Sequence, residues 1–187
     1  MAAIRNVELK SAYFHLSTIE KMVDRETANV KNNKQHLDKI VPSEIIGKHS
    51  SNYSEAIQYI DSISKLSYEN GIISLVSTFE KIVFEKYRHT YGTIKTVVNE
   101  NSPSSLNYYR IRERLVKSES DINRLHNIIE LIKGILPERL YDEVSKIKNY
   151  RDYLAHGKRY SMTIDVEPTL EEITETLDKV LFEIEKN

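Results

Sequence analysis

Arg151, Asp152 and His156 fall close together in the run NYRDYLAHGKR, residues 149–159. Their types suit acid–base work on an anion. A guanidinium grips a phosphate or carboxylate through two parallel hydrogen bonds. An imidazole, titrating near neutrality, takes or gives a proton. Asp152 precedes His156 by four residues, so on a helix the two share a face, where the carboxylate orients the ring and favours its cation. Lys158 and Arg159 add two cations directly behind. A plainer reading stands beside this one. Gly157 marks a helix end, and His156 is then a C-terminal cap whose cationic form the helix dipole favours.

The spacing constrains how such a site is built. Five residues along an ideal helix is a turn of about 140°, so Arg151 and His156 do not converge on one helix face. Two copies of the helix, packed about a two-fold axis, line one groove with two arginines and two histidines. The apolar series Leu140, Val144, Ile147, Leu154 also implies an apolar residue at position 151, where the chain has Arg. A guanidinium on a core-facing stripe needs a carboxylate, a snorkelling path to water or an external anion.

The elements that must carry these residues read as helices. Leu9, Ala12, Leu16, Ile19, Val23 and Val30 recur at helical steps, giving a long first helix over about 5–33. A polar connector broken by Pro42 and Gly47 follows, with room for one short helix. Asn52 and Glu55 have capping-box spacing for a second helix bearing Ile57, Ile60 and Ile63. A third series runs Ile72, Val76, Phe79, Val83 and Tyr87; Gly71 either separates these two or admits a close neighbour, and Gly92 begins their end. Leu106, Tyr109 and Leu115 suggest a helix with Arg110, Arg114 and Lys117 on another face. Ile122, Leu125, Ile129 and Ile132 make the next, stopped at Gly134. Pro137 suits the first position of the helix that ends at Gly157. Thr169 and Glu172 form a capping box for a terminal helix striped by Leu170, Ile173, Leu177, Val180 and Ile184. The expectation is one all-α domain over 1–187, a bundle of about six or seven helices with a long N-terminal helix.

The bulk composition agrees. Only 5 Gly and 4 Pro among 187 residues leave too few tight turns for an all-β chain. A formal net charge of −1 advertises no global attraction to polyanions, so any such site is a local patch. The absence of Cys excludes disulfides, thiolate zinc sites and Cys nucleophiles. MAAIRNVELK lacks the apolar core of a signal peptide, and no apolar run is long enough to span a bilayer. A soluble, cytoplasmic protein with no membrane partner is expected.

The motif run resembles that of the HEPN family (higher eukaryotes and prokaryotes nucleotide-binding), α-helical bundles whose hallmark is Arg, four to six residues, then His, with a polar residue after the Arg. Here it is Arg151-Asp152-Tyr153-Leu154-Ala155-His156 followed by Gly157. The upstream LVSTFEKIVFEKY, residues 75–87, is similar to the family's central helix, with Phe79 and Glu80 in the expected style. The similarity covers about 55–185, leaving the first helix and its connector, 1–54, as an extension. The resemblance implies a metal-independent RNase of the defence or toxin type. It would act as a homodimer with the two motifs in a shared cleft, Arg151 and His156 catalytic and Asp152 supporting them. It allows an antitoxin or regulatory partner. Some members carry a Tyr two residues after the His that a partner nucleotidyltransferase modifies; this chain has Lys158 there, and its nearest Tyr is Tyr160, which argues against that regulation. Other members are non-catalytic modules that bind a nucleotide or a partner protein, and that alternative stays open.

The implied chemistry fits the residues. RNA is cleaved when its 2′-hydroxyl attacks the adjacent phosphate; a catalyst removes that proton, protonates the leaving oxygen and stabilises the extra charge. Lys158 and Arg159 are candidates for binding flanking phosphates, and Arg110, Arg114 and Lys117 for guiding RNA, against the simpler reading of solvated charge. No cofactor and no metal are expected: the other five His are scattered without ligand spacing, and Glu171 and Glu172 are explained as helix N-terminal charge. No Gly-rich phosphate loop or Ser nucleophile constellation supports a kinase, an NTPase or a Ser hydrolase.

Overall fold

A computed structural model describes residues 4–32, 53–100, 125–157 and 167–186. These are all-α: α1 (Val7–Asn32), α2 (Tyr53–Glu100), α3 (Leu125–Ile132), α4 (Glu138–Ala155) and α5 (Leu170–Lys186). Among the described residues there are thus five helices and no strand. No helix among them is long and apolar enough to cross a membrane. The expected helix bearing Arg110, Arg114 and Lys117 lies outside the described residues, as do Asn52, Pro42 and Gly47.

α2 is the centre of the bundle and packs on each of the other four helices. α1 runs antiparallel along it, as the pairs Lys31–Asp61, Asp24–Ser64 and Glu8–Lys81 show. The first two hydrophobic series of the middle region are one helix of 48 residues, about 72 Å long at 1.5 Å per residue. Gly71 does not break it. A glycine inside a helix costs about 1 kcal/mol relative to alanine, whereas each fully buried aliphatic or aromatic side chain contributes roughly 1.5–3 kcal/mol. Ile72, Leu75, Val76 and Phe79 are all buried just beyond Gly71, so burial decides. A methyl group at Gly71 would sit 3.5 Å from Leu170, an ordinary contact, so the glycine is not required by close packing either. Gly92 is likewise inside the helix.

The core joins Leu9 and Tyr13 of α1, the α2 series through Val83, Ile128 and Ile129 of α3, Val144 and Tyr150 of α4, and Leu177 and Val180 of α5. Two expected core positions are corrected. Ile19 and Ile63 are exposed: on α1 Tyr13 turns inward, and of the α2 series Ile60, as expected, is the buried member.

Helix ends follow local chemistry. Asn6 caps α1 by accepting the Leu9 N–H at 3.0 Å. A second cap comes from far away in sequence: the buried carboxylate of Asp178 on α5 accepts the Arg5 N–H at 3.0 Å and the Asn6 N–H at 2.8 Å. Arg5 then lies over the Phe182 ring, 3.9 Å from its centroid. The N-terminal helix is thereby anchored to the C-terminal one. Thr169 and Glu172 form the expected capping box, with Thr169 N–H donating to Glu172 at 2.8 Å and Glu172 N–H to the Thr169 hydroxyl at 3.2 Å. The Thr169 N–H and the Thr169 hydroxyl both donate to the Glu172 carboxylate and hold it below its ordinary range. Pro137 sits one position before α4 rather than first in it, with its carbonyl accepting from Leu140 and Tyr141 at 2.9 and 3.0 Å.

Candidate functional site

α4 carries the motif residues and buries Leu140, Val144, Ile147, Tyr150 and Leu154. The core position assigned from the sequence to residue 151 is filled by Tyr150, which is 4% exposed. Steps of four, three, three and four residues fit a 3.6-residue repeat as well as the series through 151 does. Arg151 therefore does not interrupt the stripe; it stands at its edge. Tyr150 stacks on Tyr153 at 6.5 Å between centroids, and burial, with Glu167 and Glu69 nearby, pushes its phenol up to about 12.

At that edge four charged side chains form one cluster. The Arg151 Nη2 is ion-paired with Glu80 Oε2 of α2. Its Nη1 donates to Asp152 Oδ1 at 2.9 Å. Lys148 Nζ reaches the other oxygen, Asp152 Oδ2, also at 2.9 Å. The side chains are only 20% (Arg151), 22% (Glu80), 25% (Asp152) and 21% (Lys148) exposed, so water screens them less than it would a surface pair. Two cations against two anions make the cluster formally neutral. The buried Arg151 Nε has no hydrogen-bond partner among the described residues.

His156 is the C-cap of α4 and is exposed. Its backbone N–H donates to the Asp152 carbonyl at 3.0 Å, and the Gly157 N–H to the Leu154 carbonyl at 3.1 Å. Gly157 has φ +66°, the left-handed conformation that ends a helix at little cost only for glycine. The helix ends at Gly157, as expected. The expected orienting bond from Asp152 to the imidazole does not form: the carboxylate turns to Arg151 and Lys148 instead. The structure thus brings Arg151 and Asp152 together, and leaves the His156 side chain apart at the helix end. Lys158 and Arg159 lie outside the described residues.

Lys148 is not among the residues expected from the sequence, although its i,i+4 spacing to Asp152 is a signal visible there. Glu80 was noted on its own helix, but its pairing with Arg151, 71 residues on, is tertiary. A cleft of about 480 Å³ lies elsewhere, between α1, α2 and the start of α5, lined by Tyr13, Tyr68, Glu20, Lys21, Glu167 and Glu171 among others. Three carboxylates against one ammonium make it a poor seat for a polyanion. Among the described residues, no group of three or more His, Asp or Glu is placed to hold a metal ion.

Comparison with protein-family models, with curated proteins and with solved structures finds no match for the chain.

Proposed function

We propose that the protein is a HEPN-type, metal-independent endoribonuclease of the defence or toxin kind. It acts on single-stranded RNA in the cytoplasm, as a homodimer, with Arg151 binding the scissile phosphate and His156 handling the proton. A HEPN-like bundle of six or seven helices belongs to the same reading. One observation carries it. The two stretches on which the resemblance rests, residues 75–87 and 151–157, meet through the ion pair between Glu80 and Arg151. The exposed His156 then stands at the end of the same helix, and its distance around that helix from Arg151 favours a site completed by a second copy.

A second reading has an observation of its own. Both terminal nitrogens of Arg151 are held by carboxylates, as in a purely structural ion-pair cluster. On that reading the chain is a non-catalytic helical module binding a nucleotide or a partner protein. Incubating varied single-stranded RNAs in EDTA with the wild type, Arg151→Ala and His156→Ala separates the two. Cleavage by the wild type, lost in both variants, supports the nuclease. RNA left intact by pure wild-type dimer supports the module.

A further inference from the structure

We infer that Lys148 and Arg151 form a two-cation phosphate clamp and that Asp152 occupies it in the free protein; this rests on the nuclease reading and adds a residue and a restraint to the same site. The geometry is that of one bridging anion. The two oxygens of Asp152 each accept from a different cation, at 2.9 Å from Lys148 Nζ and at 2.9 Å from Arg151 Nη1. Two oxygens of a phosphodiester can take the same pair of charge-assisted bonds. Lys148 and Arg151 are three residues apart on α4 and so neighbours on its surface. Glu80 holds the far end of the guanidinium from α2, which fixes the Arg while leaving the Nη1 edge to Asp152. The two cations of the clamp and Asp152 each keep a fifth to a quarter of their side-chain surface in contact with solvent.

The energetic consequence is a built-in opposition. With two anions against two cations, the approaching phosphate meets no net attraction from the cluster until Asp152 turns away. Removing that negative charge strengthens binding by at least about fivefold, the value for one unit charge a few ångströms away in bulk water. Removing Lys148 weakens it and takes away one phosphate contact, which for a single strand lowers the slope of log affinity against log salt by about 0.7.

The test is binding of a fluorescent, 2′-O-methylated single strand, which cannot be cut through its own 2′-oxygen, across a salt series. Full-length wild type, Asp152→Asn, Lys148→Gln and Lys148→Arg are compared, with thermal melts confirming that each is folded. The expected result is tighter binding by Asp152→Asn, weaker binding with a shallower salt slope by Lys148→Gln, and recovery of the slope by Lys148→Arg. If the wild type binds and cuts RNA but Asp152→Asn and Lys148→Gln bind as it does, the clamp is overturned and the nuclease reading stands. Weaker binding by Asp152→Asn overturns the placeholder role. If the wild type neither binds nor cuts, both fall together.

Discussion

The guanidinium of Arg151 on α4 is ion-paired with the carboxylate of Glu80 on α2, which ties the motif helix to the central helix of the bundle. The pair is partly buried, so its two sides are not equivalent to a solvated surface bridge. Replacing Glu80 by Gln leaves a guanidinium short of one carboxylate at the edge of the core. The expected loss is about 1–3 kcal/mol, between the values typical of exposed and of fully buried pairs. Urea unfolding of Glu80→Gln, Arg151→Met and the double variant measures it. The double variant should lose less than the sum of the two single ones, because each alone strands the other's charge.

Asp178 holds the start of α1 through the Arg5 and Asn6 N–H groups. Asp178→Ala removes the acceptor for both, at an expected cost of about 1–3 kcal/mol. Hydrogen exchange should locate the damage: the amides of Arg5 and Asn6 lose protection first, while those of α4 keep theirs. Equal loss along the whole chain would argue against a local clamp.

Gly92 lies inside α2, and a methyl group built on it meets nothing within 4 Å. Gly92→Ala should therefore raise stability by roughly 0.5–1 kcal/mol through helix propensity alone. Gly157→Ala should do the reverse, since φ +66° penalises any side chain. Thermal denaturation of the two variants, read side by side, checks both signs.

The capping box sets a pH dependence. Thr169 holds the Glu172 carboxyl below its ordinary value of 4.5, so folding favours the ionised form. The sign follows: the contribution is complete above the ordinary glutamate range and disappears as pH falls through the lowered value. Glu172→Gln should lose stability at neutral pH and change less than the wild type on acidification below about 4.5. Melting temperatures from neutral to acidic pH give the comparison.

How much of this was legible in the sequence depends on the range of the interaction. The Thr169–Glu172 box and the Gly157 terminus were, because each is decided within four residues. The continuity of α2 was not, since a lone glycine fits either a break between two helices or a close packing contact until the burial on both sides of it is known. Arg151 was assigned a core position that belongs to Tyr150, because a 3.6-residue repeat passes through either residue and a tyrosine ring is amphipathic enough to look like an edge. The Glu80 and Asp178 contacts were beyond reach: both depend on helices far apart in the chain. The motif was visible by type and spacing, but the sequence did not reveal that Asp152 faces Lys148 and Arg151 instead of His156.

A catalytic role for His156 is decided by the cleavage rate of a single-stranded RNA in EDTA by the wild type and by His156→Ala, with a strand carrying a 2′-deoxy sugar at the cut position as control. The expected result is cleavage of the RNA by the wild type, none of the 2′-deoxy strand, and a rate lower by about 10²–10⁴ for His156→Ala, the range that a positioned acid or base contributes. Intact RNA with the wild type, or equal rates with and without the imidazole, would contradict it.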